Sequence, residues 1–233
     1  IMNVSIIIPT YNRFDLLKTC LDSVEKYTNL KDKEIVIVSN GCKDKTVRYI
    51  KLKQDTGMPY KLLEFPRPIG FPKAINVGAL ASDGEYLVFL NNDAVILLST
   101  VDIWIDCLMK PFLEDSLVAV SGPVKVENIE SKMCFILFFC AMVKRSIYEE
   151  LSGVDEIFSP GYGEDVDFCI RAQLNGYRIA QIPYETGTLP KRNGFDVVNY
   201  PINHDSTQTF RHIPDHNKNY AKNSQILKQR YGK

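Results

Sequence analysis

Short runs of β-branched and aliphatic residues alternate, in the first part of the chain, with segments whose apolar side chains recur at helical spacing. The runs are Val4 to Ile8, Glu34 to Ser39, Tyr60 to Phe65 and Glu85 to Leu90. A strand that is apolar at nearly every position is covered on both faces, and strands separated by helices are joined by crossover connections. This alternation predicts an α/β fold, a three-layer α/β/α sandwich with a mostly parallel central sheet.

The later part of the chain is less regular but continues the same mixture of elements. The predicted elements are a helix over Thr100 to Phe112, a strand at Leu117 to Gly122, a strand at Phe135 to Val143, a helix through Arg145 to Leu151, a helix that begins at Glu164 and a strand at Tyr177 to Pro183. A loop rich in Gly and Pro, Phe158 to Gly163, precedes the Glu164 helix. With 233 residues, one domain is the simplest organisation.

Charge and cysteine usage exclude several classes of protein. Lys plus Arg (28) equals Asp plus Glu (28), so we expect no broad basic face for nucleic acid. The six cysteines form no C-x-x-C pair, which indicates free thiols in a reducing, cytoplasmic setting. The longest apolar run, Met133 to Val143, is too short to span a bilayer, and Asn12 and Arg13 interrupt the apolar start before a signal peptide could form.

Polar residues follow three of the predicted strands at the points where the strands end. These segments are Pro9 to Arg13, Ser39 to Asp44 and Asn91 to Asp93. In open α/β sheets ligands bind beyond the carboxyl ends of the strands, so we expect the three segments to face one crevice. Asn12 is expected to cap the first helix, and Asp44 the second.

Two acidic motifs bear on chemistry. A carboxylate where a strand meets a loop suits a hard cation, as Asp93 would, although an isolated Asn-Asn-Asp triplet is also typical of a turn. Glu164, Asp165 and Asp167 place three acids at a helix start, where the helix dipole favours them. A carboxylate in that position can equally take a proton from a hydroxyl nucleophile.

The order of the motifs resembles glycosyltransferase family 2, the inverting nucleotide-sugar enzymes of GT-A fold, and is closest to its rhamnosyltransferase-like branch. The motifs are SIIIPTYNR, VSNGCKDKT, PIGFPKAINVGALASDGEYLVFLNNDA, KRSIYEELSGVDEIF, GYGEDVDFCIRAQLNGYRIAQIP and a later His. The likeness runs from Val4 to about Pro183. It implies one Rossmann-like GT-A domain over residues 1–233, with a nucleotide-sugar-binding half (1–98), an acceptor and catalytic half (99–185) and a C-terminal extension (186–233).

By this resemblance a nucleoside-diphosphate sugar, most simply of UDP or dTDP type, would lie over the crevice. Tyr11 would lie against the base and Lys73 near the phosphates, although both residues are also compatible with an ordinary loop aromatic and a solvated helix side chain. The family usually has an acid where this chain has Ser39, and another where it has Asn91. The implied donor-binding residues are Pro9, Thr10, Tyr11, Arg13, Ser39, Asn40, Lys73, Asn76, Asn91, Asn92 and Asp93.

The resemblance also implies a divalent cation, Mn²⁺ or Mg²⁺, on Asp93. His204 would be a second ligand or an ordinary surface histidine. Asp165 matches the family's general base, with Glu164 beside it as a second catalytic acid. Glu164, Asp167 and Tyr162 are the implied acceptor-binding residues.

The implied acceptor is a hydroxyl of a glycan, glycolipid or glycoprotein. Peripheral contact with the cytoplasmic face of a membrane, association into a homo-oligomer and membership of a larger multidomain chain all stay open. Because Ser39 and Asn91 replace acids, a non-catalytic nucleotide-sugar or carbohydrate-binding module is the alternative function. A dinucleotide-dependent dehydrogenase would need G-x-G-x-x-G after the first strand, where this chain has PTYNRF.

Overall fold

Strands and helices alternate around one central sheet in the computed structural model of this chain, which describes residues 3–97, 100–129, 131–182, 200–204 and 215–232. The strands are β1 (Val4–Thr10), β2 (Lys33–Asn40), β3 (Tyr60–Phe65), β4 (Tyr86–Leu90), β5 (Ala94–Ile96), β6 (Val118–Gly122), β7 (Lys125–Glu127), β8 (Cys134–Ile136), β9 (Cys140–Lys144), β10 (Arg178–Gln181) and β11 (Ile202–His204). The helices are α1 (Phe14–Tyr27), α2 (Thr46–Asp55), α3 (Phe71–Leu80), α4 (Ile103–Glu114), α5 (Arg145–Glu150), α6 (Glu164–Leu174) and α7 (His216–Tyr231).

The central sheet has seven strands in the order β10-β6-β9-β4-β1-β2-β3. Every neighbouring pair is parallel except the two that involve β9, which runs antiparallel to both β4 and β6. Ile6 and Ile8 of β1 pack into the core on one face, and Ile7 packs into a second core on the other face. The alternation of side chains along a strand therefore explains why β1 is apolar throughout, and the predicted α/β sandwich is confirmed.

The single strand predicted over Phe135 to Val143 is wrong. The segment forms two strands separated by residues 137–139: β8 pairs with β7 in a small ribbon, whereas β9 enters the central sheet. An unbroken apolar run does not reveal the break, because both strands and the residues between them supply buried side chains.

The predicted cap of α1 by Asn12 is also wrong. Asn12 and Arg13 both have positive φ (53° and 57°), and Arg13 occupies the N-cap position without a side-chain bond. The backbone N–H of Phe14 donates instead to Asp44 Oδ2 (2.8 Å), while Asp44 Oδ1 accepts from the N–H of Thr46 (3.0 Å). Asp44 therefore serves the start of α1 as well as that of α2.

Two elements in the last part of the chain have no strong sequence pattern. β11 pairs antiparallel with β5, which aligns His204 with Ala94. α7 is a polar helix with one fully buried polar side chain, Asn223. Within the described residues, no helix combines the length and the apolar character that crossing a bilayer requires.

Candidate active site

The carboxyl ends of β1, β2 and β4 meet in one crevice. Asn92 Nδ2 donates to Thr10 Oγ1 (3.0 Å), which joins the end of β4 to the end of β1. Cys42, just after β2, places its Sγ 3.2 Å from Thr10 O and 3.1 Å from the backbone N of Asn12. The segment after β1 therefore contacts the segments after both β2 and β4, so the three expected segments lie side by side.

Some of the expected donor-binding residues line this crevice, to different depths. Pro9, Thr10 and Ser39 are buried, whereas Tyr11 and Arg13 are both half-buried. The pKa of Arg13 is raised, first by its hydrogen bond to Asp15 and then by the charges of Asp15 and Asp93. The guanidinium therefore lies within electrostatic reach of the end of β4.

Asn40 and Asn76 hold loops together. Asn40 Oδ1 accepts from the backbone N–H of Ile69 (2.6 Å), which fixes the loop before α3. Asn76 Oδ1 accepts from the Tyr148 hydroxyl (2.6 Å) and from the N–H of Val154 (3.1 Å), and its Nδ2 donates to Val154 O. The hydrogen-bonding capacity of Asn76 is therefore largely used inside the protein.

Lys73 lies on the first turn of α3 and is half-exposed. Its Nζ is 3.7 Å from Glu156 Oε2, at the limit of an ion pair. A pair this exposed stabilises the fold little.

Asp93 and His204 form a largely buried polar pair just beyond the end of β4. The side chain of Asp93 is 4% exposed, and its Oδ1 lies 3.1 Å from His204 Nε2 without the alignment of a hydrogen bond. Asn91 Nδ2 lies 3.4 Å from the same nitrogen. The imidazole stacks on Phe139, with ring centroids 4.4 Å apart and planes 7° from parallel. The β5–β11 ribbon and this stacking position His204 beside the acid that ends β4.

Asp93 and His204 would supply two suitable ligands for a divalent cation. Asp93 Oδ1 is a buried carboxylate oxygen with no hydrogen bond among the described residues, and such an atom calls for a ligand. A nitrogen and an oxygen ligand together suit Mn²⁺ better than Mg²⁺. In the described part of the chain no third His, Cys, Asp or Glu joins the pair, so the remaining ligands would have to come from a bound diphosphate and water.

Glu164 and Asp165 open α6 in surroundings that disfavour charge. Burial raises the pKa of Asp165 to about 6, against the opposite effect of backbone N–H groups of Val166 and Phe138 that donate to its carboxylate. Burial also raises the pKa of Glu164, and the neighbouring Asp165 charge adds to that shift. Glu164 Oε2 is buried without a hydrogen bond to any described residue. Backbone N–H groups donate to both carboxylates, so the difference between them is that the charge of Asp165 raises the pKa of Glu164 further.

Asp167 is occupied by internal partners, which does not support its expected contact with an acceptor. Its side chain is fully buried, and its oxygens accept from Arg171 Nε (2.7 Å), Arg230 Nη1 (2.7 Å) and the Tyr231 hydroxyl (2.7 Å). A carboxylate with three such donors has little capacity left. Tyr162, by contrast, is half-buried at the mouth of the site, next to Tyr220 and His216 of α7.

The segment between β8 and β9 touches both halves of the site. The N–H of Phe138 donates to Asp165. The next residue, Phe139, accepts from the N–H of Asn91 (2.8 Å) through its carbonyl and stacks on His204. Two consecutive residues therefore contact Asp165 of α6 on one hand and Asn91 and His204, the neighbours of Asp93, on the other.

Several residues that complete the site gave no signal in the sequence. Phe138 and Phe139 act partly through their backbone, which no side-chain pattern reveals. Arg230 and Tyr231 reach Asp167 from more than sixty positions along the chain. A polar helix with one buried amide, Asn223, looks in sequence like any solvated helix.

A buried Asp-His pair at the carboxyl ends of parallel strands, together with an acid pair of raised pKa, has the features of a ligand-binding site in an α/β protein. Comparison with known proteins agrees. The model of the family described as "Glycosyl transferase family 2" matches residues 5–132, and the chain belongs to that family.

Two curated relatives have names that refer to O-antigen. The O-antigen biosynthesis protein RfbC of Myxococcus xanthus is 25% identical over 76% of this chain and 16% of its own length. The O-antigen chain rhamnosyltransferase RfbN of Salmonella typhimurium is 26% identical over 77% of this chain and 63% of its own length. The chain thus spans less than two thirds of either relative.

A solved structure with the same architecture is the mannosyltransferase PcManGT from Pyrobaculum calidifontis in complex with GDP-Man and Mn²⁺. The TM-score is 0.65 with 23% identity, over 78% of this chain and 55% of the other. The fold expected from the motifs, GT-A, is confirmed by this likeness.

Proposed function

We propose that this chain is an inverting glycosyltransferase that moves a sugar from a nucleoside diphosphate, of UDP or dTDP type, to a hydroxyl of a glycan or glycoconjugate. The observation that carries the proposal is the placement of two unlike acidic centres next to the consecutive residues Phe138 and Phe139. One is an Asp-His pair at the end of β4, and the other is a carboxyl pair with raised pKa at the start of α6. Membership of the family supports the reaction class.

Asp165 is the general base in this proposal, and Glu164 is its protonated neighbour. Burial raises the pKa of both acids, and the charge of Asp165 raises that of Glu164 further, which favours Asp165 as the acid that is ionised first. A base with a pKa near 6 is ionised at neutral pH. Its pKa also lies close to the operating pH, which favours proton transfer from the acceptor hydroxyl as the new bond forms. The two adjacent acids thereby acquire different roles from different surroundings.

Asp93 and His204 would hold the divalent cation, with Lys73 and Arg13 as further positive charge near the diphosphate. When bound, the cation would offset the negative charge that grows on the departing diphosphate. His204 is held by stacking on Phe139 and by its place in the β5–β11 ribbon, with its Nε2 turned toward Asp93.

The proposed reaction is a single displacement. Asp165 accepts the proton of the acceptor hydroxyl, whose oxygen forms a bond to the anomeric carbon. The bond from that carbon to the diphosphate oxygen breaks, and the nucleoside diphosphate leaves with the electron pair. Attack opposite to the leaving group inverts the anomeric configuration. Tyr162, with Tyr220 beside it, offers an aromatic face at the mouth of the site on which an acceptor sugar could lie.

The test uses UDP-, dTDP- and GDP-sugars with Mn²⁺, and measures release of the nucleoside diphosphate with water or glycans as acceptors. We expect Asp165→Asn to lose turnover and keep donor binding by calorimetry, whereas Asp93→Ala loses both. Glu164→Gln is the matched control, because a protonated Glu is replaced by a neutral isostere and activity should largely persist.

Donor binding without turnover in the wild-type chain would favour the alternative of a non-catalytic binding module. Normal metal-dependent donor binding by Asp93→Ala would contradict the cation site. Equal loss of turnover in Glu164→Gln and Asp165→Asn would contradict the division of roles between the two acids.

A further inference from the structure

We infer that Asn223 on α7 is a positioning residue, which holds the loop that presents Asp165. This inference rests on the proposed function, because it concerns how the proposed base is placed. Asn223 is 1% exposed, although it belongs to a helix whose other described side chains are all partly or largely exposed. A lone buried amide on such a helix has a partner that justifies its burial.

The partner is the backbone of the loop before α6. Asn223 Nδ2 lies within hydrogen-bond distance of three carbonyl oxygens, those of Phe158 (2.7 Å), Gly161 (2.8 Å) and Tyr162 (3.0 Å). An amide group has two hydrogens, so the three carbonyls share them. The loop therefore curls around a single nitrogen atom that belongs to a distant helix.

The loop does not have a conformation that it would keep unaided. Tyr162 has φ of 74° and Gly163 has φ of 96°, and a tyrosine in the left-handed region is uncommon and costs energy. Gly163 also has Leu227 of α7 close to the position that a side chain would occupy, so the helix packs directly on the backbone. Contacts from outside the loop are what select this arrangement.

A second anchor fixes the same helix to the other side of the acid pair. Arg230 bridges Asp155, before the loop, and Asp167, within α6, at 2.7 Å each. The Tyr231 hydroxyl adds a bond to Asp167. α7 therefore contacts the chain both before and after Asp165, with Asn223 bonded to the loop and Leu227 packed against Gly163 just before Glu164.

Removing the amide should loosen this loop and leave the crevice on the other strands unchanged. In Asn223→Ala we expect the backbone amides of residues 158–166 to exchange hydrogen about tenfold to hundredfold faster, the effect of losing one or two net hydrogen bonds. Amides of β1, β2 and β4 should exchange as in the wild type. Greater access of water should also move the ¹³C-detected titration of Asp165 to lower pH, because burial is what raises its pKa.

The comparison uses two further variants. Gln225→Ala, at an exposed position of α7, is the matched control and should leave both readouts unchanged. Asn223→Asp keeps the shape of the side chain and removes the amide hydrogens, so it should also speed exchange in residues 158–166 if those hydrogens hold the loop. Unchanged exchange and titration in both Asn223 variants, or faster exchange spread over the central sheet, would overturn the inference.

Turnover separates this inference from the proposed function. If the wild-type chain turns over nucleotide sugars, Asn223→Ala should lower kcat on the order of a hundredfold, as misplacement of a reacting group does, with little change in donor affinity. An inactive wild-type chain would refute the proposed function. The exchange and titration results would still decide whether Asn223 holds the loop.

Discussion

Asp165 and Glu164 are adjacent and both buried, but only the pKa of Glu164 is raised further by the charge of its neighbour. The carboxylate of Asp165 accepts from the N–H groups of Val166 and Phe138, and that of Glu164 accepts from those of Glu164 and Tyr162, although Glu164 Oε2 has no partner among the described residues. Three acids in four positions are visible in the sequence, but their order of acidity is not. It depends in part on a backbone N–H from a segment some thirty positions away.

The pH dependence of turnover should report this environment. Because Asp165 must be ionised to accept a proton and its pKa is about 6, the rate should rise as pH increases through 6 and level off above it. The measurement is kcat/KM for a nucleotide sugar between pH 5 and 8. A limb that is centred near pH 4 would contradict the raised pKa.

Asp165→Asn should stabilise the folded chain at neutral pH. The folded pKa is raised above its unfolded value, so the native state holds the proton more tightly. The contribution of this group to the free energy of unfolding is fully present below about pH 4, and it is lost as pH rises through about 6. The substitution removes this loss, and after a discount for partial exposure we expect a gain of about 1 to 2 kcal/mol at pH 8.

Urea unfolding at pH 5 and pH 8 measures that gain. The advantage of Asp165→Asn should be smaller at pH 5, where much of the wild-type Asp165 is protonated. Asp44→Asn provides a contrast, since that carboxylate accepts backbone N–H groups at the surface and its loss should destabilise. An equal advantage at both pH values would contradict the assigned cause.

Among the elements, the start of α3 is positioned by glycine. Gly70 has φ of 85° and ψ of 156°, a region essentially restricted to glycine, and an added Cβ would collide with Ser159 Oγ. The N–H of the next residue, Phe71, donates to Pro160 O (2.8 Å). α3 therefore begins against the same loop that leads into the acid pair.

Gly70→Ala should destabilise the chain by about 3 kcal/mol, from backbone strain and crowding together. Gly57→Ala is the control, since Gly57 has a similar φ of 86° and open space around it, and strain alone should cost about 1 kcal/mol. Midpoints of urea unfolding measure both. Equal losses would show that contact with Ser159 adds nothing.

The elements also show where pattern reading succeeds. β1 to β4 and α6 were predictable because each combines one apolar pattern with clear breaks, such as Gly163 before Glu164. β8 and β9 could not be told apart, because one continuous apolar run supplies strands to two different sheets. α7 was missed because its interior contact is a single amide and its remaining residues are those of a solvated helix.

Across the whole molecule, the expected ligand should stabilise folding by mass action. With Mn²⁺ and the preferred nucleoside diphosphate at about 100 times Kd, the stabilisation is roughly 2.7 kcal/mol, which raises Tm by roughly 5 to 10 °C for a domain of this size. The measurement is a thermal shift across UDP, dTDP and GDP with Mn²⁺, Mg²⁺ or EDTA.

The Asp93→Ala and His204→Ala variants locate that effect. Asp93→Ala should lose the shift with either metal, whereas His204→Ala should lose more of the Mn²⁺ shift than of the Mg²⁺ shift, because a nitrogen ligand favours Mn²⁺. A full Mn²⁺-dependent shift in Asp93→Ala would place the cation elsewhere.

At this scale the sequence predicted the layers, the mostly parallel sheet and the meeting of three strand ends, since all three follow from strand and helix alternation. It did not predict that Asn40 and Asn76 brace loops or that Asp167 is enclosed by Arg171, Arg230 and Tyr231. Those outcomes depend on which distant segment arrives beside each side chain. A single sequence does not reveal which distant residues will become neighbours in the fold.

The reversed direction of β9 has a consequence for how errors in pairing would act. Its first residues lie where β4 ends, with Cys140 opposite Leu90. A slip of one position between these strands would swap the faces on which Phe138 and Phe139 emerge. A single shift in pairing would then displace both Asp165 and His204, which Phe138 and Phe139 contact. Substitutions along the paired residues of β4 and β9, far from both side chains, should therefore impair the two together.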